Sequence, residues 1–278
     1  MLALSGWVLV VSLHLNDGRL VYALDDPYIH MAMAKHLVED GVWGVTRHGF
    51  SSSSSSPLWV LILAGAYLTA GVRDAVPLAV NVLSAIGVLL VTDLIIRRHV
   101  SSLTARTAAL IATVLFVPLV PMVFTGMEHV THALIATGVL YLAARTLDTG
   151  IDRRQETRSY RWLALLTPVL TSLRYEGALM VAVVASLLVV RGRRAHAAAV
   201  AALGALPIVL YGLVSLANGW MFLPNPILLK GAPHGASASA VLQFLTDPAR
   251  LQVFNPHVLA ITVALAGGLW LQIRRRGV

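Results

Sequence analysis

Apolar residues run along this chain in long unbroken stretches rather than in the short alternations of a water-soluble domain. The clear stretches cover residues 75–96, 103–124, 130–147, 162–173, 178–190, 197–217 and 258–273. About 20 apolar residues as helix cross a bilayer. Residues 2–15 fall short of that length, and with no basic segment before them they make a poor secretion signal. Residues 57–72 amount to about 24 Å of helix, also short. The pattern predicts an all-α, polytopic transmembrane bundle of about eight spans. Residues 1–278 form a single membrane domain with no soluble domain, a first outer loop over about 16–74 and a second over about 218–256.

Composition sharpens this picture. Of 278 residues, 57% are hydrophobic and 12% charged; a soluble domain carries about 25% charged residues. Mean hydropathy is +0.77. The net charge of +8 does not point to nucleic acid, because Lys and Arg collect in cytoplasmic loops of membrane proteins and no basic patch is interleaved with aromatics. There is no cysteine, hence no disulfide and no thiolate metal site. Neither G-x-G-x-x-G nor a P-loop is present, which disfavours a nucleotide-linked substrate.

Charge also orients the chain. If residues 57–72 do not cross, Arg97/Arg98, Arg153/Arg154/Arg158/Arg161, Arg191/Arg193/Arg194 and Arg274/Arg275/Arg276 share the cytoplasmic side. Residues 57–72 then lie in the outer interface, as does a helix from Pro27 to Val38 with Ile29, Met33, His36 and Leu37 on one face. Pro27 suits a first turn behind an Asp cap. The run Ser51–Ser56 reads as a flexible low-complexity loop. His30 and His36 are expected to face water or lipid, and Trp43, Trp59 and Trp220 to sit in the interfacial belt, with stacking on a sugar as the alternative for Trp43 and Trp59.

Four polar clusters then gather on the outer face: Asp25-Asp26, Gly126-Met127-Glu128-His129, Arg174-Tyr175-Glu176-Gly177, and residues 223–230 with Asn225 and Lys230. Adjacent carboxylates raise one another's pKa, which makes one of Asp25 and Asp26 a better general base. Arg174 and Lys230 are outer-face cations beside apolar runs, suited to a lipid phosphate; interfacial snorkelling is the alternative, and Glu176 is a ready partner for Arg174. Glu128 with His129 and His132 spells Glu-His-x-x-His, a donor set for zinc or manganese, although imidazole hydrogen bonding between helices accounts for it too. Tyr28 lies one turn from Asp25, within reach of a substrate.

The ordered set Asp-Asp-Pro-Tyr-Ile (25–29), Gly-Val-Trp-Gly (41–44), Ser-Ser-Pro-Leu-Trp (55–59), Gly-Met-Glu (126–128), Arg-Tyr-Glu-Gly (174–177) and Pro-Asn-Pro-x-x-x-Lys (224–230) resembles C-type (GT-C) membrane glycosyltransferases. Within them it resembles most the branch holding the mycobacterial arabinofuranosyltransferases. Tyr175 stands where that branch usually has proline. The resemblance implies a bacterial plasma-membrane enzyme that moves a sugar from a polyprenyl-phosphate donor to an envelope glycan or glycolipid on the extracytoplasmic side. Asp25 and Asp26 become the catalytic pair, with Asp25 favoured as base and inversion expected. Arg174 and Lys230 bind the donor phosphate, and Tyr28, Glu176 and Asn225 contact substrate. Glu128 with Asp26 becomes the site of any divalent cation (Mg, Mn or Zn). The competing reading is a transporter or flippase of lipid-linked sugars, which favours ionisable groups at the bilayer midplane; a non-catalytic scaffold is the third.

Overall fold

The computed structural model describes residues 1–231 except Thr149 and Ile151; the side chains of Lys230 and Gly231 lie outside the description, as does the expected span at residues 258–273. Residues Met1–Leu228 form one compact unit and Leu229–Val278 a second. Among the described residues the structure is all-helical. In chain order the elements are α1 (Leu2–Leu15), α2 (Asp26–Glu39), α3 (Pro57–Ala70), α4 (Ala75–Ile96), α5 (Leu103–Phe116), α6 (Leu119–Val123), α7 (His129–Leu147), α8 (Arg153–Leu173), α9 (Gly177–Val190), α10 (Arg194–Ala217) and α11 (Asn225–Gly231).

Three of these helices, α4, α7 and α10, are long and apolar enough to cross a membrane, fewer than the eight spans expected. The causes are local. The stretch 103–124 is cut in two: Val117 turns extended ahead of Pro118, as the residue before proline is pushed out of the helical region. The apolar stretch 162–173 is the second half of α8, whose first half is polar. Helices α1, α3 and α9 have 14 residues each, about 21 Å of rise. Leu83, Leu90, Leu179, Val183, Leu210 and Leu213 point outward and are exposed. That apolar exterior marks a protein of the membrane, where lipid covers such surface.

Helix α8 is the hub, packed against α3, α7, α9 and α10, while α4 packs on α7 and α2 on α3. One apolar cluster, including Leu163, Leu170, Val181, Leu188 and Val200, joins α7 through α10. A second, centred on Met33, Trp59, Leu63, Tyr67 and Val123, locks α2 and α3 onto α4 and α6. Helix α2 is therefore part of the packed structure. Its buried face is Pro27, His30, Met31, Met33 and Ala34, and of the expected face Met33 is fully buried with Ile29 and Leu37 packed against the same core. Trp59 is fully buried and belongs to the core, not to an interfacial belt.

The serine run is ordered. Ser52, Ser54 and Ser56 are buried while Ser51, Ser53 and Ser55 are half-buried, the two-residue alternation of an extended segment. Ser215 on α10 donates to the Ser52 hydroxyl (3.0 Å), and the Asn225 amide donates to the Ser52 carbonyl (3.0 Å). Small side chains let this segment thread between α3 and the end of α10. It is a strut, not a flexible loop.

Candidate functional site

The site lies at the end of the bundle where α7 and α9 begin and α8 and α10 finish. Asp25 caps α2, its carboxylate accepting from the Asp26 amide (3.0 Å). Capping occupies the Asp25 carboxylate, which is exposed, whereas Asp26 is half-buried. One turn beyond Asp26, at i+4, His30 is buried, its Nδ1 3.8 Å from Glu128 Oε2.

Two glycines make this approach possible. Gly126 has φ +69°, and a Cβ there would meet the Tyr22 ring at 2.7 Å and Pro27 Cβ at 2.9 Å. Only glycine tolerates both the left-handed backbone and the contact. Tyr22 is fixed in turn: its hydroxyl donates to the Asp74 carbonyl (2.6 Å) and accepts from the Leu78 amide (3.1 Å), and its own amide donates to the Tyr28 hydroxyl (2.9 Å). Gly177 sits where a Cβ would come within 3.0 Å of the Leu170 carbonyl, so the α8–α9 turn closes tightly. Asn81 on α4 holds the opposite flank by donating to the Met127 carbonyl (2.9 Å).

At the centre is Glu128, 1% exposed, the residue before α7. Arg174, at the C-terminal end of α8, donates through Nη1 to Glu128 Oε1 (2.9 Å) and to His129 Nδ1 (2.9 Å), and through Nη2 to Glu176 Oε1 (2.8 Å). Burial pushes the Glu128 carboxyl up, but His129, His30 and Arg174 beside it outweigh burial and hold it at about 2. Glu128 is a permanent anion at neutral pH. Burial lowers the His30 pKa despite the Glu128 and Asp26 charges, keeping the ring neutral. Burial raises Glu176, yet its own amide and Arg174 bring it below the ordinary range.

Among the described residues His30 Nδ1, Glu128 Oε2, His132 Nε2 and the Tyr175 hydroxyl are buried without a hydrogen-bond partner. Buried polar groups are normally paired, so the open valences of His30, Glu128 and His132 around one ion pair suit a polar ligand. The Tyr175 ring, at 6.5 Å from that of Tyr211, links this centre to an apolar groove between α3, α8 and α10. The groove has a volume of about 390 Å³ and is lined by Trp43, Phe50, Leu58, Leu61, Leu210 and Tyr211 among others. Trp43 Nε1 donates to the Tyr211 hydroxyl (3.2 Å).

Of the residues anticipated from the sequence, the structure brings together Glu128, Arg174 and Glu176; Asp26 stands one turn before His30 on α2, next to the exposed Asp25. Tyr28 is 41% exposed and braces Tyr22. Asn225 anchors the strut through its amide, and the Lys230 side chain lies outside the described residues. Among the described residues no group of three His, Cys, Asp or Glu side chains is arranged to hold a metal ion; at Glu128 the Arg174 guanidinium takes Oε1. His30, expected to face water or lipid, is a buried member of the site, and its i+4 spacing from Asp26 is the signal that identifies it. His36 pairs with Asp40 (2.8 Å) away from the site. Compared with known proteins, the chain matches no protein-family model, no curated protein and no solved structure.

Proposed function

We propose that the chain is an integral membrane glycosyltransferase of the GT-C type, moving a sugar from a polyprenyl-phosphate donor to an envelope glycan or glycolipid acceptor. The observation that carries this reading is the junction of a carboxylate-rich polar centre with an apolar groove. A lipid-linked sugar has the same two parts. Its hydrocarbon tail follows the groove past Leu58 and Leu210, and its headgroup reaches the centre around Arg174.

In this reading Asp26 is the base, because it begins α2 on the helix face that leads to the buried His30 and on to Glu128. Asp26 takes the proton from the acceptor hydroxyl as that oxygen attacks the anomeric carbon. The bond from that carbon to the phosphate oxygen breaks, and polyprenyl phosphate leaves as a stable anion. Attack opposite the leaving group inverts the configuration. Glu128 stays ionised throughout and positions Arg174. The exposed Glu176 yields its place on Arg174 to the phosphate, since a half-solvated pair costs little to exchange.

The centre faces the extracytoplasmic side, because α8 carries Arg153, Arg154, Arg158 and Arg161 at its other end. The remaining spans are supplied by α8, whose second half is apolar, and by the shorter apolar helices α1, α5 and α9. A transporter would place its ionisable groups near midplane, whereas these cluster at the helix ends. The test is transfer of labelled sugar from a mixed pool of polyprenyl-phosphate sugars by purified protein. Product formation supports the reading; binding of donor without transfer moves it to a flippase.

A further inference from the structure

At the end of the bundle opposite Glu128, the polar first half of α8 divides into faces of different character. Gln155 accepts from Arg145 of α7 (2.6 Å), and Glu156 pairs with Arg193 before α10 (2.5 Å). Ser159 and Leu163 are buried on the same inward side. The outward side is Arg154, Thr157, Arg158, Arg161, Trp162 and Leu165, the i, i+3, i+4 pattern of one helical stripe. With Arg153 these residues line one recess.

What sets the stripe apart is four arginines on one helix beside exposed apolar side chains. At the same end Arg97 and Arg106 share the Asp93 carboxylate and Arg193 pairs with Glu156. Among the described residues none of Arg153, Arg154, Arg158 and Arg161 has a carboxylate within ion-pair distance, and all four are exposed. Trp162 and Leu165 continue the same stripe and are 51% and 60% exposed. Four uncompensated guanidinium groups followed, within two turns, by an exposed indole and an exposed leucine require a partner that is anionic at one end and hydrocarbon at the other.

We infer that this stripe of α8 is a binding site for an anionic phospholipid of the leaflet opposite the proposed transfer site. The lipid phosphate lies between Arg154, Arg158 and Arg161, where guanidinium forks bind phosphate oxygens. The acyl chain descends along Trp162 and Leu165. An acidic soluble protein matches the arginines but leaves the apolar half of the stripe uncovered. Each arginine adds electrostatic attraction to an anionic leaflet. The inference requires only that α8 meets a bilayer and does not depend on glycosyl transfer.

The full chain, reconstituted in nanodiscs of phosphatidylglycerol and phosphatidylcholine in equal parts, is exposed to photoactivatable analogues of each lipid, and crosslinks are mapped by mass spectrometry. The expected result is a phosphatidylglycerol excess on the peptide holding Trp162 and Leu165. That excess should fall about tenfold in Arg158→Gln/Arg161→Gln, be retained in Arg158→Lys/Arg161→Lys, and stay unchanged in Arg191→Gln/Arg194→Gln, which removes two exposed charges from the same end. All these side chains are exposed, so folding is not at stake. Equal labelling by the two lipids overturns the inference. So does an equal loss in the control variant, which would mean a general surface field, and so does displacement of the lipid by soluble polyglutamate, which would reassign the face to an acidic protein.

Discussion

Arg174 donates to Glu128 across 2.9 Å, tying the residue that ends the α7–α8 hairpin to the one that begins it. Glu128 is buried and Arg174 partly so, its side chain 28% exposed. Removing one partner of a buried pair costs about 3–5 kcal/mol because the other is left uncompensated. Glu128→Gln and Arg174→Met are each expected to lower thermal stability in detergent, by the lower end of that range because Arg174 reaches solvent and keeps Glu176. Scanning calorimetry of the two variants and the double variant checks this. Additive losses would mean that the pair does not act as one unit.

Acid should unfold the protein in two stages. The His30 pKa is depressed in the folded state, so its neutral form favours folding above the ordinary value of about 6.5, and that contribution declines as pH falls below it. Glu128 is depressed to about 2, so its contribution is complete above its ordinary value near 4.5 and is lost as pH falls toward 2. His30→Asn should remove the first decline and, by taking away one of the charges that depress Glu128, move the second to higher pH; Glu128→Gln should remove the second and extend the first to lower pH. Tm measured from pH 8 to pH 3 reads both.

Gly126→Ala is expected to be far more damaging than Gly18→Ala. Both have positive φ, but a Cβ at Gly18 meets open space, while at Gly126 it meets Tyr22 and Pro27. Backbone conformation alone costs about 1 kcal/mol; the clash adds displacement of the loop that carries Asp26. Comparison of the two Tm values, together with transfer activity, checks this. Equal losses would mean that Tyr22 yields freely.

The absence of native cysteine makes sidedness measurable. His48 and Arg158 are exposed at opposite ends of the bundle, and Ser54 is fully buried. With a membrane-impermeant thiol reagent on intact cells, His48→Cys should label, Arg158→Cys should label only after permeabilisation, and Ser54→Cys should resist both. The reverse order for His48 and Arg158 would invert the topology.

The helical class and the polar clusters that hold Glu128 and Arg174 were legible because charge is costly beside hydrocarbon, so carboxylates and arginines punctuate the spans. What escaped depended on packing partners. On α2 the expected Ile29, Met33 and Leu37 do meet the core, whereas burial of His30 follows from Glu128, which is distant in sequence. Ser51–Ser56 looks featureless, yet its period of two matters once Ser215 and Asn225 lie alongside. Pro118 was the exception: its break of the stretch 103–124 was readable from the residue itself.

Assignment of the base is the central claim, and asparagine substitution isolates it. Asn is as good a helix cap as Asp, so Asp25→Asn preserves α2. Purified wild type, Asp25→Asn and Asp26→Asn are each given radiolabelled polyprenyl-phosphate sugars and an envelope-glycan acceptor. Transfer is expected from wild type and, slightly reduced, from Asp25→Asn, with a loss of about a hundredfold or more in Asp26→Asn. Transfer undiminished in Asp26→Asn, or no transfer by wild type while lipid-linked sugar still binds, would contradict the account.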